Sequence, residues 1–365
     1  MDRSPIRPRP EVLTTPPVMH GAFDFSELER LGVQPEGVLD FSVNSNPYGP
    51  SPLVREAIAR TPPDRYPDRE CLSLRRALAE HLSLTPDRIM MGNGTAGLLW
   101  LVAFAFVRRG DRALILGPTF GEYGRCAGLM GAQVREIRGR AGDGFRVDVR
   151  AVEAALASSP IRLAFICNPN NPTGTTLAPD LIAHWADRHP ETLFVVDEAY
   201  IRFCPALDSL AGAGISNVLV LRSMTKDYAL AGLRLGYAVG CADVIGALVR
   251  ARPPWSVNAL AQAAGVAALR DEAYLRDTLA RIRAAGPELV AGLRGIGLRV
   301  IPSEVHYFLV EVGDGARFRG KLLRRGIQVR DCASFGLPAC VRIATRRPEE
   351  NRRLLQAARE VWNEG

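Results

Sequence analysis

Between residues 52 and 269, short apolar runs alternate with longer amphipathic stretches, and few folds accommodate that rhythm. An unbroken apolar run of four or five residues suits a strand buried on both faces, and an amphipathic stretch between two such runs suits the helix that covers them. Repeated units of this kind wind around a mainly parallel sheet. The runs at 88–91, 113–116, 163–167, 193–196, 218–221 and 237–239 read as strands; 71–81, 96–107, 180–188 and 244–250 read as covering helices. After a long helical region at 258–294 the pattern changes. Strands at 298–301, 307–312, 327–330 and 339–343, with helices at 317–325 and 348–362, read as a smaller α+β unit. The expected organisation is an arm at 18–48 that joins the small unit, a large domain at 49–270 and a small C-terminal domain at 271–365. A chain of 365 residues is long enough for that division.

Charge narrows the partners. The formal net charge is +7, but the arginines are scattered through every expected element rather than gathered into a tract, which argues for small anionic ligands and against nucleic acid. Lys226 and Lys321 are the only lysines, so lysine chemistry has two candidates. The seven cysteines contain no CxxC pair and suit a reducing cytoplasm. Residues 1–17 are rich in Pro and Arg and carry no apolar segment of the signal-peptide kind. No run approaches the roughly 18 apolar residues of a membrane span, so no membrane partner is expected. The five histidines lack metal-ligand spacing, and neither a Gly-x-Ser-x-Gly elbow nor a Walker phosphate loop occurs; no metal is expected.

Four motifs follow expected strands. The first is Ser223-Met224-Thr225-Lys226, with Arg234 eight residues beyond the lysine. A lone lysine is ordinarily a solvated surface residue. At a strand end beside Ser, Thr and Gly, its amine can form an imine with an aldehyde while Ser223, Thr225 and Arg234 hold a phosphate. The second motif is the apolar run that ends in Asp197-Glu198-Ala199-Tyr200. A carboxylate delivered to the carboxyl end of a strand is either a turn residue or a partner for a ring nitrogen that it keeps protonated, which makes the ring an electron sink. Tyr200 is placed to donate to a phenolate oxygen on such a ring. Third is Asn168-Pro169-Asn170-Asn171-Pro172, whose two Asn-Pro steps make a rigid turn able to aim the Asn171 amide. Fourth is Gly92-Asn93-Gly94-Thr95-Ala96-Gly97, where small residues at a helix start let backbone N–H groups cradle phosphate; Gly94, Thr95 and Ala96 are the candidates. Phe120, after the next strand, serves either as a core aromatic or as a ring stacked on the cofactor.

These four motifs, in this order, resemble the fold-type I, class I/II aminotransferase family, which works with pyridoxal 5'-phosphate, and the likeness covers nearly the whole chain. Within it, Met19-His20-Gly21, the stretch 39–47, the stretch 120–125, Pro254-Trp255-Ser256-Val257-Asn258-Ala259 and Val329-Arg330-Asp331-Cys332 are most similar to L-threonine-O-3-phosphate decarboxylases of cobalamin biosynthesis, with histidinol-phosphate aminotransferases the next neighbours. The resemblance implies Lys226 as the Schiff-base lysine, Asp197 as the pyridinium partner, Asn171 and Tyr200 as phenolate donors, Phe120 as the stacking ring, and Gly94, Thr95, Ser223 and Arg234 as phosphate ligands. It also implies a homodimer in which Tyr66 reaches the phosphate of the neighbouring subunit's cofactor. For the substrate, an amino-acid phosphate, it implies His20, Asn44, Asn171, Arg330 and Arg342. The activity expected on these grounds is a lyase that decarboxylates L-threonine O-3-phosphate, the alternative being an aminotransferase of the histidinol-phosphate type. Ala22-Phe23 and Asp227 depart from the decarboxylase pattern, at positions expected near the substrate.

Overall fold

The computed structural model describes residues 6–364. Its strands are β1 (Leu39–Asp40), β2 (Ile89–Asn93), β3 (Arg112–Gly117), β4 (Gln133–Arg138), β5 (Leu163–Cys167), β6 (Leu193–Asp197) and β7 (Val218–Ser223), followed by β8 (Leu235–Val239), β9 (Arg299–Val300), β10 (Tyr307–Glu311), β11 (Ile327–Gln328), β12 (Arg330–Asp331) and β13 (Cys340–Ala344). The helices are α1 (Pro10–Thr14), α2 (Phe25–Leu31), α3 (Pro52–Arg60), α4 (Leu72–Leu82), α5 (Gly94–Phe106), α6 (Glu122–Leu129) and α7 (Val149–Ser158). They continue with α8 (Pro179–Arg188), α9 (Ala242–Ala251), α10 (Ala259–Leu269), α11 (Glu272–Gly295), α12 (Gly315–Leu323) and α13 (Pro348–Asn363). Among them no helix is long and apolar enough to cross a membrane.

The large sheet runs β2-β8-β7-β6-β5-β3-β4, parallel from β7 to β4, with β8 antiparallel to both its neighbours. All residues of β5, β6, β7 and β8 are buried, as expected of strands covered by helices on both faces. Each face has its own core: Leu74, Trp185, Phe194 and Val220 fill one, and Leu99, Phe165, Val195 and Leu219 the other. Fully burying each such side chain contributes roughly 1.5–3 kcal/mol. Local chemistry sets the helix starts. Ser51 Oγ accepts from the Val54 amide at 3.4 Å ahead of Pro52, Asp148 accepts from the Arg150 amide at 3.0 Å, and Asn258 accepts from the Ala261 amide at 2.7 Å.

The smaller sheet, β12-β13-β10-β9, packs with α12 and α13 around Phe308, Val310, Val341 and Leu354. Beyond helices α2, α3, α6 and α7, which the sequence pattern does not delimit, three details differ from it. Strand β4 was not expected, because it is an edge strand, Gln-Val-Arg-Glu-Ile-Arg, that is mostly exposed and carries charges where a buried run was sought. The helical region at 258–294 is two helices, with Asp271 accepting from the Tyr274 amide at the start of the second. The single strand expected at 327–330 is divided. Ile327 and Gln328 pair in parallel with Leu39 and Asp40, whereas Arg330 and Asp331 pair with Arg342 and Val341.

Helix α11 links the two regions. Its first half packs Leu275, Leu279 and Ile282 against Tyr200 and Phe203, and its second half sends Leu289 and Leu293 into the small core. The loops that follow β3, β5, β6 and β7 gather at one edge of the large sheet. In open α/β sheets that edge is where ligands bind.

Candidate active site

A cavity of about 660 Å³ opens at that edge, between the large sheet, the segment 18–22 and the small sheet. Strand β6 ends in Asp197, whose Oδ2 accepts from the Tyr123 hydroxyl at 2.8 Å and whose Oδ1 accepts from the Ala199 amide at 3.0 Å. Burial pushes this carboxyl up to about 6, even though both hydrogen bonds favour the ionised form. Tyr123 is stacked on Phe165 at 5.4 Å, which fixes the phenol that holds Asp197.

Lys226 lies in the turn after β7 and faces the same cavity. Its amine is pulled down to about 8, first by burial and then by the positive charges of Arg342 and Arg234. A group so tuned exchanges a proton near neutral pH. Tyr200, also on the wall, has its phenol pushed up to about 12 by burial, so it stays a donor.

Thr95 and Ala96, at the start of α5, line the cavity together with Arg234. Gly94 has φ +67°, and a Cβ there would come within 2.7 Å of Arg234 Nη2; the bare backbone is what lets the guanidinium approach. Phe120 and Asn171 complete the wall. Ser223 and Thr225 sit behind it, their hydroxyls 2.7 Å apart and bonded to each other. Tyr66 lies outside this chain's cavity: it is 81% exposed and leans, tilted, against Trp255 at 4.7 Å between ring centroids.

The other end of the cavity is assembled from distant segments. Arg342 on β13 donates through Nη1 to Asn171 Oδ1 and through Nη2 to the Ser42 carbonyl, while its Nε is buried without a partner. Asn44, also on this wall, is buried. Arg330 donates to the carbonyls of His20 (2.9 Å) and Met19 (2.7 Å) and to Ser334 Oγ (2.7 Å). Among the described residues neither arginine pairs with a carboxylate. His20 stands over Phe120 and meets Glu122 Oε1 at 3.2 Å.

Glu122 and Tyr123 were not singled out by the sequence reading except as part of the 120–125 likeness, because a buried carboxylate in a short helix has no periodic signal. Glu122 is 4% exposed and receives Trp100 Nε1 at 2.9 Å and Arg125 Nη1 at 3.3 Å. Asp227, expected near the substrate, does not line the cavity. Its carboxylate accepts from the Tyr228 amide at 2.9 Å in the field of Arg202 and Arg222, and burial pushes it up to about 6. Of the other departures, Ala22 does line the cavity. A wider trough of about 910 Å³, around Arg112, Arg162 and His189, contains none of these groups. Among the described residues no cluster of His, Cys, Asp or Glu could hold a metal ion.

The sequence profile of the family described as aminotransferase class I and II matches residues 36–357. This chain belongs to that family. A histidinol-phosphate aminotransferase of Symbiobacterium thermophilum is 40% identical over 88% of this chain and 90% of its own length. Among solved structures, the histidinol-phosphate aminotransferase of Sinorhizobium meliloti, in complex with pyridoxal 5'-phosphate, superposes with a TM-score of 0.87 at 26% identity, covering 98% of both chains. The L-threonine-O-3-phosphate decarboxylase of Porphyromonas gingivalis superposes with a TM-score of 0.79 at 27% identity, over 90% of this chain and all of that one. The chain is therefore a fold-type I enzyme of the aminotransferase family, dependent on pyridoxal 5'-phosphate. The residues present fit that group: a buried carboxylate and an amine of lowered proton affinity face one cavity, beside a glycine-backed guanidinium at a helix start.

Proposed function

We propose that the enzyme is an aminotransferase of the histidinol-phosphate type, taking an amine that carries a phosphate. The observation that supports this most is the pair Arg342 and Asn44. A buried guanidinium with no carboxylate partner and an unbonded Nε, sharing the cavity with the buried Asn44 amide, is a site built for an anion. The curated relative from Symbiobacterium, at 40% identity, supports the same reading over decarboxylation.

In this reading Lys226 would hold the cofactor's aldehyde, Asp197 its ring nitrogen, Asn171 and Tyr200 its phenolic oxygen and Phe120 its ring, while Gly94, Thr95, Ala96, Ser223, Thr225 and Arg234 would hold its phosphate. Bound there, the cofactor supplies an electron sink for the bond that breaks at the substrate's α carbon. Asp197, ionised against a cationic partner, keeps that sink charged. Lys226 Nζ would take the α proton, a transfer suited to an amine poised at about 8. Arg342 and Asn44 orient the anion so that this proton points toward Lys226. Residues 18–22 cover the cavity and limit water.

Tyr66 and Trp255, two exposed rings in contact, support a homodimer in which Tyr66 completes the partner's phosphate site. The seven free cysteines suit a reducing cytoplasm.

The decarboxylase reading keeps one observation in its favour, the likeness to the Porphyromonas structure. It differs in the bond broken at the α carbon and in a substrate that carries a carboxylate as well as a phosphate. Incubating the cofactor-loaded enzyme with L-histidinol phosphate and a 2-keto acid should yield amino-group transfer. Carbon dioxide from L-threonine O-3-phosphate without any keto acid, and no transfer in the first assay, would replace this reading by the second.

A further inference from the structure

Beyond β7 the chain leaves the sheet, and the carbonyls of Thr225, Lys226 and Asp227 accept hydrogen bonds from a segment some 180 residues earlier in the sequence. Ser45 Oγ reaches the Thr225 carbonyl at 3.5 Å, the Asn46 backbone N–H reaches that of Lys226 at 2.8 Å, and Asn46 Nδ2 reaches that of Asp227 at 3.0 Å. Asn46 has further partners. Its Nδ2 also donates to Thr278 Oγ1 on α11 at 2.8 Å, its Oδ1 accepts from the Tyr48 amide at 3.0 Å, and its carbonyl accepts from the Gly49 amide at 3.3 Å.

Asn46 is 4% exposed and does not line the cavity; its backbone neighbour Asn44 and its hydrogen-bond partner Lys226 both do. Lysine carries its amine on a flexible stem, so the place of Nζ depends on how firmly the backbone beneath it is held. A buried amide with its donors and acceptor all engaged fixes one geometry, because any shift of the turn leaves a buried polar group unpaired.

We propose that Asn46 is a positioning residue: it clamps the backbone of the Lys226 turn and locks that turn to α11 and to the segment that carries Asn44. Lys226 as the residue that holds the cofactor is taken from the proposed function, and the clamp serves transamination and decarboxylation alike.

The deciding experiment is a pH titration of the cofactor-loaded, full-length enzyme without substrate, followed by the cofactor's visible absorbance, which reports the protonation of the nitrogen that Lys226 contributes. Burial and the charges of Arg342 and Arg234 disfavour a proton at that nitrogen, and Asp197 and Asp40 favour one. In Asn46→Ala, and in the milder Asn46→Ser, whose hydroxyl can still accept from the Tyr48 amide, the loosened turn admits water and the midpoint is expected to rise by about half a unit or more. Hydrogen–deuterium exchange across residues 225–230 should rise by about tenfold in the same variants. Thr278→Val removes the bond to α11 and keeps the bonds to the turn, so it should lower the melting temperature by a few degrees and leave midpoint and exchange as in wild type. A midpoint unmoved in both Asn46 variants overturns the assignment, and so does one that Thr278→Val moves as far. Lys226→Ala separates the two claims: a pH-dependent band that survives this substitution removes Lys226 as the cofactor's lysine, whereas a band lost with Lys226 but unshifted in the Asn46 variants removes the clamp alone.

Discussion

The two ends of the cavity are built by different means. At the Lys226 end, each group sits within a few residues of a strand terminus in one sheet, and Asp197, Ser223 and Thr225 are tied down: Asp197 has two donors, and Ser223 and Thr225 bond each other. At the Arg342 end, groups arrive from residues 18–22, 42–44, 330–334 and 342, and Arg342 Nε has no partner. A rigid end suits a resident cofactor that the site must hold in one geometry, and an unsatisfied end suits a ligand that comes and goes.

If that contrast is right, substitutions at the fixed end should act on the chemical step. Lys226→Ala is expected to lower kcat by roughly a thousandfold or more, measured as single-turnover amino transfer, since it removes both the carrier of the cofactor and the base. Asp197→Asn should lower kcat by about a hundredfold with little change in KM. At the open end, Arg342→Gln should raise KM and lower kcat/KM by roughly a hundredfold, about 3 kcal/mol, with the cofactor still bound. Tyr123→Phe is the smallest effect on rate, a loss of about tenfold, because Asp197 keeps its backbone donor.

The fixed end also makes a prediction about pH. In the cofactor-free protein Asp197 keeps its proton to about 6, against an ordinary 3.8. Between those values the native state binds the proton that the unfolded chain has released, so stability falls as pH rises through the window. Asp197→Asn should remove that slope. Urea unfolding at roughly pH 4 and roughly pH 7 should then differ less in the variant than in wild type, by up to about 3 kcal/mol. An equal slope in the two proteins would mean that Asp197 is hydrated and that the fixed end is less closed than its hydrogen bonds indicate.

The contrast explains what could be read from the sequence. The four motifs are local: each lies after a buried apolar run, so periodicity locates the strand and the residues after it name the chemistry. Asp197, Lys226, Asn171 and Thr95 come together in the cavity on that basis. Strand β4 escaped because an edge strand carries charges like a surface helix or loop. Glu122 and Tyr123 escaped because their partners, His20 and Asp197, are 102 and 74 residues away, and no local pattern encodes that distance. Asp227 misled for the converse reason. It adjoins Lys226 in sequence, but the turn aims it away from the cavity, toward Arg202 and Arg222.

The central claim is that the open end selects a phosphorylated amine through Arg342. The most direct measurement compares kcat/KM for L-histidinol phosphate and for L-histidinol, in wild type and in Arg342→Gln. A wild-type preference for the phosphorylated amine of about a hundredfold or more, falling to within a few fold in the variant, is the expected result. Equal use of both amines by the wild-type enzyme, or a preference that survives the loss of Arg342, would contradict the account.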